Sequence, residues 1–154
     1  MKLTKSERGQ SLVELAISLV VILYLLSGAV EFGIIFFQYV QLRDAAQEGA
    51  LYGSTHPSDV AGITDRIQYS SASPIKLADE VVSGKVTIEI SIDGIPSTDT
   101  ANYATVDCEA HGLAVKVSYN HRIFMPFLPR VIGSDVPLNA IVTDTILTPM
   151  TCIP

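Results

Sequence analysis

Cys108, His111 and His121 carry thiol and imidazole groups, which zinc favours as ligands, and they lie close together in the chain. A Cys-x-x-His step followed by one distant histidine nevertheless lacks the paired spacing of a zinc site. No Gly-rich phosphate loop follows a strand, and no serine, histidine and acid share a nucleophile signature. Neither enzymatic activity, a cofactor nor a small-molecule substrate is therefore expected. Cys108 and Cys152 admit a different chemistry. A disulfide between them would close a loop of about 45 residues and stabilise by roughly 4 kcal/mol in the chain-entropy model. It requires an oxidising compartment. Two free or separately buried thiols are the alternative, because spacing carries no geometry.

The carboxylates pose a sharper question. Glu14 and Glu31 are the only charged residues between Gly9 and Leu42. The residues between them, Leu15 to Val30, hold nothing more polar than serine and tyrosine. A charge at mid-bilayer costs roughly 2.5–3.5 kcal/mol on insertion scales. Depth decides what each glutamate means. At about 1.5 Å per residue, Ser11 to Glu31 covers about 30 Å, the thickness of the hydrocarbon core. With Ser11 at the inner boundary, Glu31 reaches the outer boundary and stays hydrated there. Phe32, Phe36, Phe37 and Tyr39 would then form an aromatic belt. Glu14, a few ångströms inside, calls for a partner.

The elements that must carry these groups follow from the pattern. The chain has 154 residues, which suits one domain plus an anchor. Apolar residues make up 48% of it and concentrate in the first third, so a membrane piece joins an ordinary domain. The net charge of −6 and scattered bases argue against nucleic acid as a partner. Lys2, Lys5 and Arg8 precede the apolar run, which puts the N-terminus in the cytoplasm by the positive-inside rule and the rest outside. A cleaved signal peptide would share the basic start. Its core would be shorter, though, and here the helical pattern continues past Ser27-Gly28-Ala29 without a break.

Good helix formers extend to Tyr52, with Gly53 and Pro57 as stop signals. Such a helix is about 60 Å long, so half of it projects from the bilayer. Ala45, Gly49 and Gly53 fall on one face of the projecting half. That face packs either on the chain's own sheet or against a neighbouring subunit's helix. Ser58 to Ala72 reads as a second helix with Ser58 as N-cap. A connector with one helical turn follows. Val86, Ile88, Ile90 and Ile92 then alternate with polar residues up to the Asp93-Gly94 turn. Leu113 to Tyr119, with a start as early as Val106, and Val136 to Val142 alternate in the same way. Short connections favour antiparallel pairing, and the projecting helix can cover the apolar face. The fold class is thus α+β: a long N-terminal transmembrane helix continuing into a small domain with a short second helix and an antiparallel sheet of about three strands. In "IFMPFLP" (Ile123 to Pro129), Phe124 and Phe127 either close the core or form an exposed apolar tip for a partner or the membrane surface.

The run "RGQSLVELAISLVVILYLLSGAVEFGIIFFQYVQLRDAAQEGALYGS" resembles the N-terminus of TadE-like proteins, pilin-like components of tight-adherence (Flp) pilus systems. The likeness rests on Gly9, Gln10 to Glu14, the apolar span, Glu31-Phe32-Gly33, Ala45-Ala46 and Glu48-Gly49-Ala50. It implies that a prepilin peptidase cuts between Gly9 and Gln10, on the cytoplasmic side and before the apolar segment, leaving Glu14 fifth. Residues 1–9 are then a leader, 10–52 the transmembrane and projecting helix, and 53–154 an extracytoplasmic domain. The freed amino group of Gln10, on the same or a neighbouring subunit, can pair with Glu14 and set the stagger between helices. "NHRIFMPFLPRVIGSDVPLNA" is similar to the family's late strand-loop-strand.

Leu15 departs from major Flp pilins, which carry tyrosine after the glutamate, and Glu31-Phe32-Gly33 replaces the usual Asp-Phe-Gly. Major Flp pilins are also much shorter. A minor or accessory role is the implied one, with other pilin-like subunits and the pilus assembly machinery as partners. A single-pass anchored domain that binds an extracytoplasmic ligand is the alternative, and an anchored hydrolase or metalloprotein using Cys108, His111 or His121 is a third.

Overall fold

The computed structural model describes residues 7–70, 76–106, 111–125 and 128–147. Helix α1 (Glu7–Thr55) is 49 residues long, about 73 Å at the α-helical rise. Two environments divide it. From Gly9 to Leu26 every side chain is exposed, whereas from Glu31 onward a stripe of residues turns inward: Ile35, Gln38, Leu42, Ala45, Ala46, Gly49 and Ala50. Steps of three and four residues keep this stripe on one side of the helix.

The stripe packs on α2 (Val60–Tyr69) and on the sheet. Ser58, the expected N-cap, does not cap α2. Asp59 does, its Oδ1 accepting the Gly62 N–H at 2.9 Å. The Tyr52 hydroxyl donates to Asp59 Oδ2 at 2.9 Å and fixes that carboxylate over the helix start. Two hydrogen-bond donors thus favour Asp59, whose carboxyl is held below its ordinary range first by the Gly62 amide and then by Tyr52. The helix is also shorter than expected. Helix α3 (Leu77–Val82) supplies the expected turn in the connector.

The sheet has four antiparallel strands in the order β2-β1-β3-β4, one more than the pattern suggested. Strand β1 (Val86–Ile92) turns through Asp93 (φ 49°) and Gly94 (φ 84°) into the two-residue β2 (Ile95–Pro96). Positive φ at both central positions is the hairpin geometry that Asp-Gly favours. Val106 does not begin a strand. Asp99 caps a short α4 (Thr100–Tyr103) just before it, and β3 starts later, as Gly112–Arg122. Short α5 (Pro129–Ile132) then leads into β4 (Asp135–Thr145). Val86, Ile90, Ile92, Leu113, Val115, Val117, Leu138 and Ala140 lie on the helix-covered face of the sheet and are buried, those of β3 and β4 under α1. The other face is polar, with Lys116 and Glu89 paired at 2.8 Å.

Strand β3 runs alongside α1. At its start, Leu147 donates its amide to the Ser54 carbonyl at 2.8 Å, and Ile146 donates to His111 at 3.0 Å. At its end, His121 meets Glu31. Eleven residues of strand cover about 34 Å, and Glu31 to Ser54 on the helix covers about 35 Å. The two lengths match, so the sheet is held to the helix at both ends.

Candidate functional site

Gly9, Gln10 and Glu14 are all exposed on the bare part of α1. Gln10 and Glu14 are four residues apart and share a face. The Gly9–Gln10 bond lies close to the first described residue of α1, Glu7. This helix is long and apolar enough to cross a membrane.

Glu31 is where the bare helix meets the domain. The expected hydrated, boundary carboxylate is not what the fold makes of it: Glu31 is 2% exposed. His121 Nε2 lies 2.8 Å from Glu31 Oε1. The Phe124 amide donates to the same oxygen at 3.1 Å, and the Met125 amide donates to Oε2 at 3.2 Å. An ionised carboxylate only accepts, so the Nε2 facing it carries a proton. A buried charge needs partners of this kind, because loss of water costs several kcal/mol per ion. Glu31 therefore acts as an acceptor for three donors that all come from one strand end and its loop.

Alternation along β3 brings His121 here. Leu113, Val115, Val117, Tyr119 and His121 share one face of the strand, the face toward α1. An imidazole at the last of these inward positions was the available signal. It asked for a polar partner on the covering helix. Just beyond, the Ile123 amide donates to the Ser134 carbonyl at 3.0 Å and closes the base of the loop. The next two amides are then free to turn toward Glu31.

The small-residue face belongs to the domain itself. Ala45 is fully buried. A Cβ on Gly49 would stand 2.4 Å from Ile67 Cγ1, and one on Gly53 would stand 2.1 Å from Leu113 Cδ2. Only glycine allows α2 and β3 to approach that closely. In the apolar loop, Ile123 and Leu128 turn in, whereas Phe124 is 84% exposed and does not fill the core. Phe127, Cys108 and Cys152 lie outside the described residues.

His111 and His121 sit at opposite ends of β3, about 34 Å apart by strand rise, so they cannot share a ligand. His111 Nδ1 instead pairs with the Asp93 carboxylate, which also accepts the Gly112 amide at 2.9 Å. The His111 hydrogen bond, followed by the Gly112 one, holds Asp93 below the ordinary carboxylate range. Among the described residues, no group of three or more His, Cys, Asp or Glu is placed to hold a metal ion.

No curated protein and no solved structure matches the chain. The family model described as TadE-like protein matches residues 9–51, which run from Gly9 to just short of the end of α1. Residues 9–51 are thus similar to TadE-like proteins, and that likeness suggests a pilin-like protein associated with a tight-adherence pilus system.

Proposed function

We propose that this chain is a minor or accessory pilin-like subunit for assembly of a tight-adherence pilus or a related secretion apparatus. Residues 1–9 are a cytoplasmic leader, removed after Gly9 by a prepilin peptidase. Residues 10–52 hold the subunit in the cell membrane and carry an extracytoplasmic domain, 53–154. The observation that carries this reading is the TadE-like match, which starts at Gly9. Glu14 supports it physically. It is an exposed carboxylate on an otherwise uncharged stretch, four residues from Gln10 and on the same helix face. The amino group freed at Gln10 would give it a cationic partner, on its own chain or on a neighbour's. Removing one member of such a pair in a low-dielectric layer costs roughly 3–5 kcal/mol, enough to define the stagger of packed helices.

The deciding experiment is the N-terminal residue of protein purified from its own cells, read by mass spectrometry. Gln10 is expected. An intact Met1 in cells with an active prepilin peptidase overturns the processing step. Glu14→Gln should be processed yet assemble poorly, and normal assembly removes the register role.

The second reading, a single-pass anchored binding domain outside any polymer, has one observation in its favour. The domain closes its core on its own helix, with Ala45, Gly49 and Gly53 already occupied. Under that reading, exchanging residues 10–30 for an unrelated apolar span leaves function intact. Under the first, it abolishes assembly.

A further inference from the structure

We propose that the start of the β3–β4 loop, Ile123 to Met125, is a second membrane-seated element, resting Phe124 in the lipid headgroup region at the foot of the span. Helical height comes first. Glu31 binds the Phe124 and Met125 amides directly, so this loop sits level with Glu31 on α1. Ser11 to Glu31 covers about 30 Å, one hydrocarbon thickness. When the bare helix fills the bilayer, the loop is therefore brought to its outer surface. The chemistry at that level suits a lipid boundary. Phe124 is 84% exposed, and Phe32 and Phe36, within about 8 Å further along the helix, are 68% and 59% exposed. Ile132 on α5 is 57% exposed. Phenylalanine side chains on interfacial elements bury at the boundary between headgroups and acyl chains.

Charge agrees. Arg122 and Arg130 flank the loop and are exposed, and with exposed Asp135 opposite Arg122 across the strands they leave one net positive charge there, in a chain whose net charge is −6. Arginine side chains beside apolar ones suit a headgroup surface, where the guanidinium can reach lipid phosphate while its stem lies on apolar surface. The opposite end of the sheet, near Ser54, lies about 35 Å higher along the helix. Two attachments, helix and loop, would keep the domain upright on the membrane before any assembly step. The proposal rests on the membrane-spanning part of the proposed function, and it is independent of leader cleavage.

The chain has no tryptophan, so single substitutions report cleanly. Phe124→Trp, Val20→Trp and Leu147→Trp all replace exposed side chains, and they sit at the loop, in mid-span and at the far end of the domain. Each full-length variant is reconstituted in two sets of phosphatidylcholine and phosphatidylglycerol vesicles, one with acyl chains brominated near the headgroup and one with acyl chains brominated near their ends. Val20→Trp is expected to lose most of its emission in the deep-brominated set and Phe124→Trp in the shallow-brominated set, and Leu147→Trp to keep it in both. Quenching of Val20→Trp without Phe124→Trp overturns the loop's membrane seat and leaves the span intact. A blue-shifted but unquenched Phe124→Trp overturns it in favour of a protein partner. Failure of both Val20→Trp and Phe124→Trp to quench overturns the span along with the loop.

Discussion

Two histidine–carboxylate pairs mark the two ends of β3, and they are the same chemistry in different surroundings. At one end, His121 and Glu31 have side chains only 4% and 2% exposed. At the other, His111 and Asp93 are 39% and 48% exposed. Water can replace either partner of the second pair at little cost. Nothing replaces Glu31 in the first, because its carboxylate also satisfies two backbone amides of the loop. The same kind of pair, an imidazole with a carboxylate, thus fastens the domain to its helix at one end and decorates a turn at the other. Burial, not residue type, makes the difference.

Glu31→Ala tests this most severely. It leaves an imidazole and two amides without their acceptor, and stability should fall by about 3–5 kcal/mol, the range for one broken partner of a buried pair. Urea unfolding of the full chain in detergent, followed by circular dichroism, measures it, and a loss no larger than that of a surface pair would erase the contrast. Exchanging both partners for apolar residues, Glu31→Leu with His121→Phe, should not restore stability. The Phe124 and Met125 amides stay unsatisfied, at about 1–3 kcal/mol apiece. Hydrogen exchange gives the local view: these two amides should be protected in the native chain and exposed in Glu31→Leu.

Smaller effects belong to the exposed end. His111→Ala should lower stability only slightly, by about 1 kcal/mol or less in urea unfolding, since an exposed pair contributes little. Acid sharpens the contrast last. Asp93 is held below its ordinary value of 3.8 in the folded chain, so its contribution is complete above that pH and is lost as pH falls through the folded value. A carbon-13 titration of the Asp93 carboxyl should show the lowered midpoint, and His111→Ala should bring it part of the way back.

Local pattern was enough for most of the fold. The unbroken run of helix formers foretold α1, and Val86, Ile88, Ile90 and Ile92 foretold β1 together with its Asp93-Gly94 turn. Where neighbouring residues offered equal choices, sequence misled. Ser58 and Asp59 can each cap a helix, and the Tyr52 hydroxyl, a full loop away, favours Asp59. Phe124 and Ile123 are both apolar, and only the closure of the loop by Ser134 turns Ile123 in and Phe124 out.

The two glutamates of the apolar helix divide along the same line. Sequence by itself determined that Glu14 stands on an apolar run of membrane-spanning length with no other charge from Gly9 to Val30, because hydropathy and helical rise are properties of adjacent residues. It also determined the height of Glu31. Only the tertiary structure decided that Glu31 leaves water, since its partner His121 lies 90 residues away. Strand register brings that imidazole to the helix, and register depends on the whole sheet closing over one apolar face.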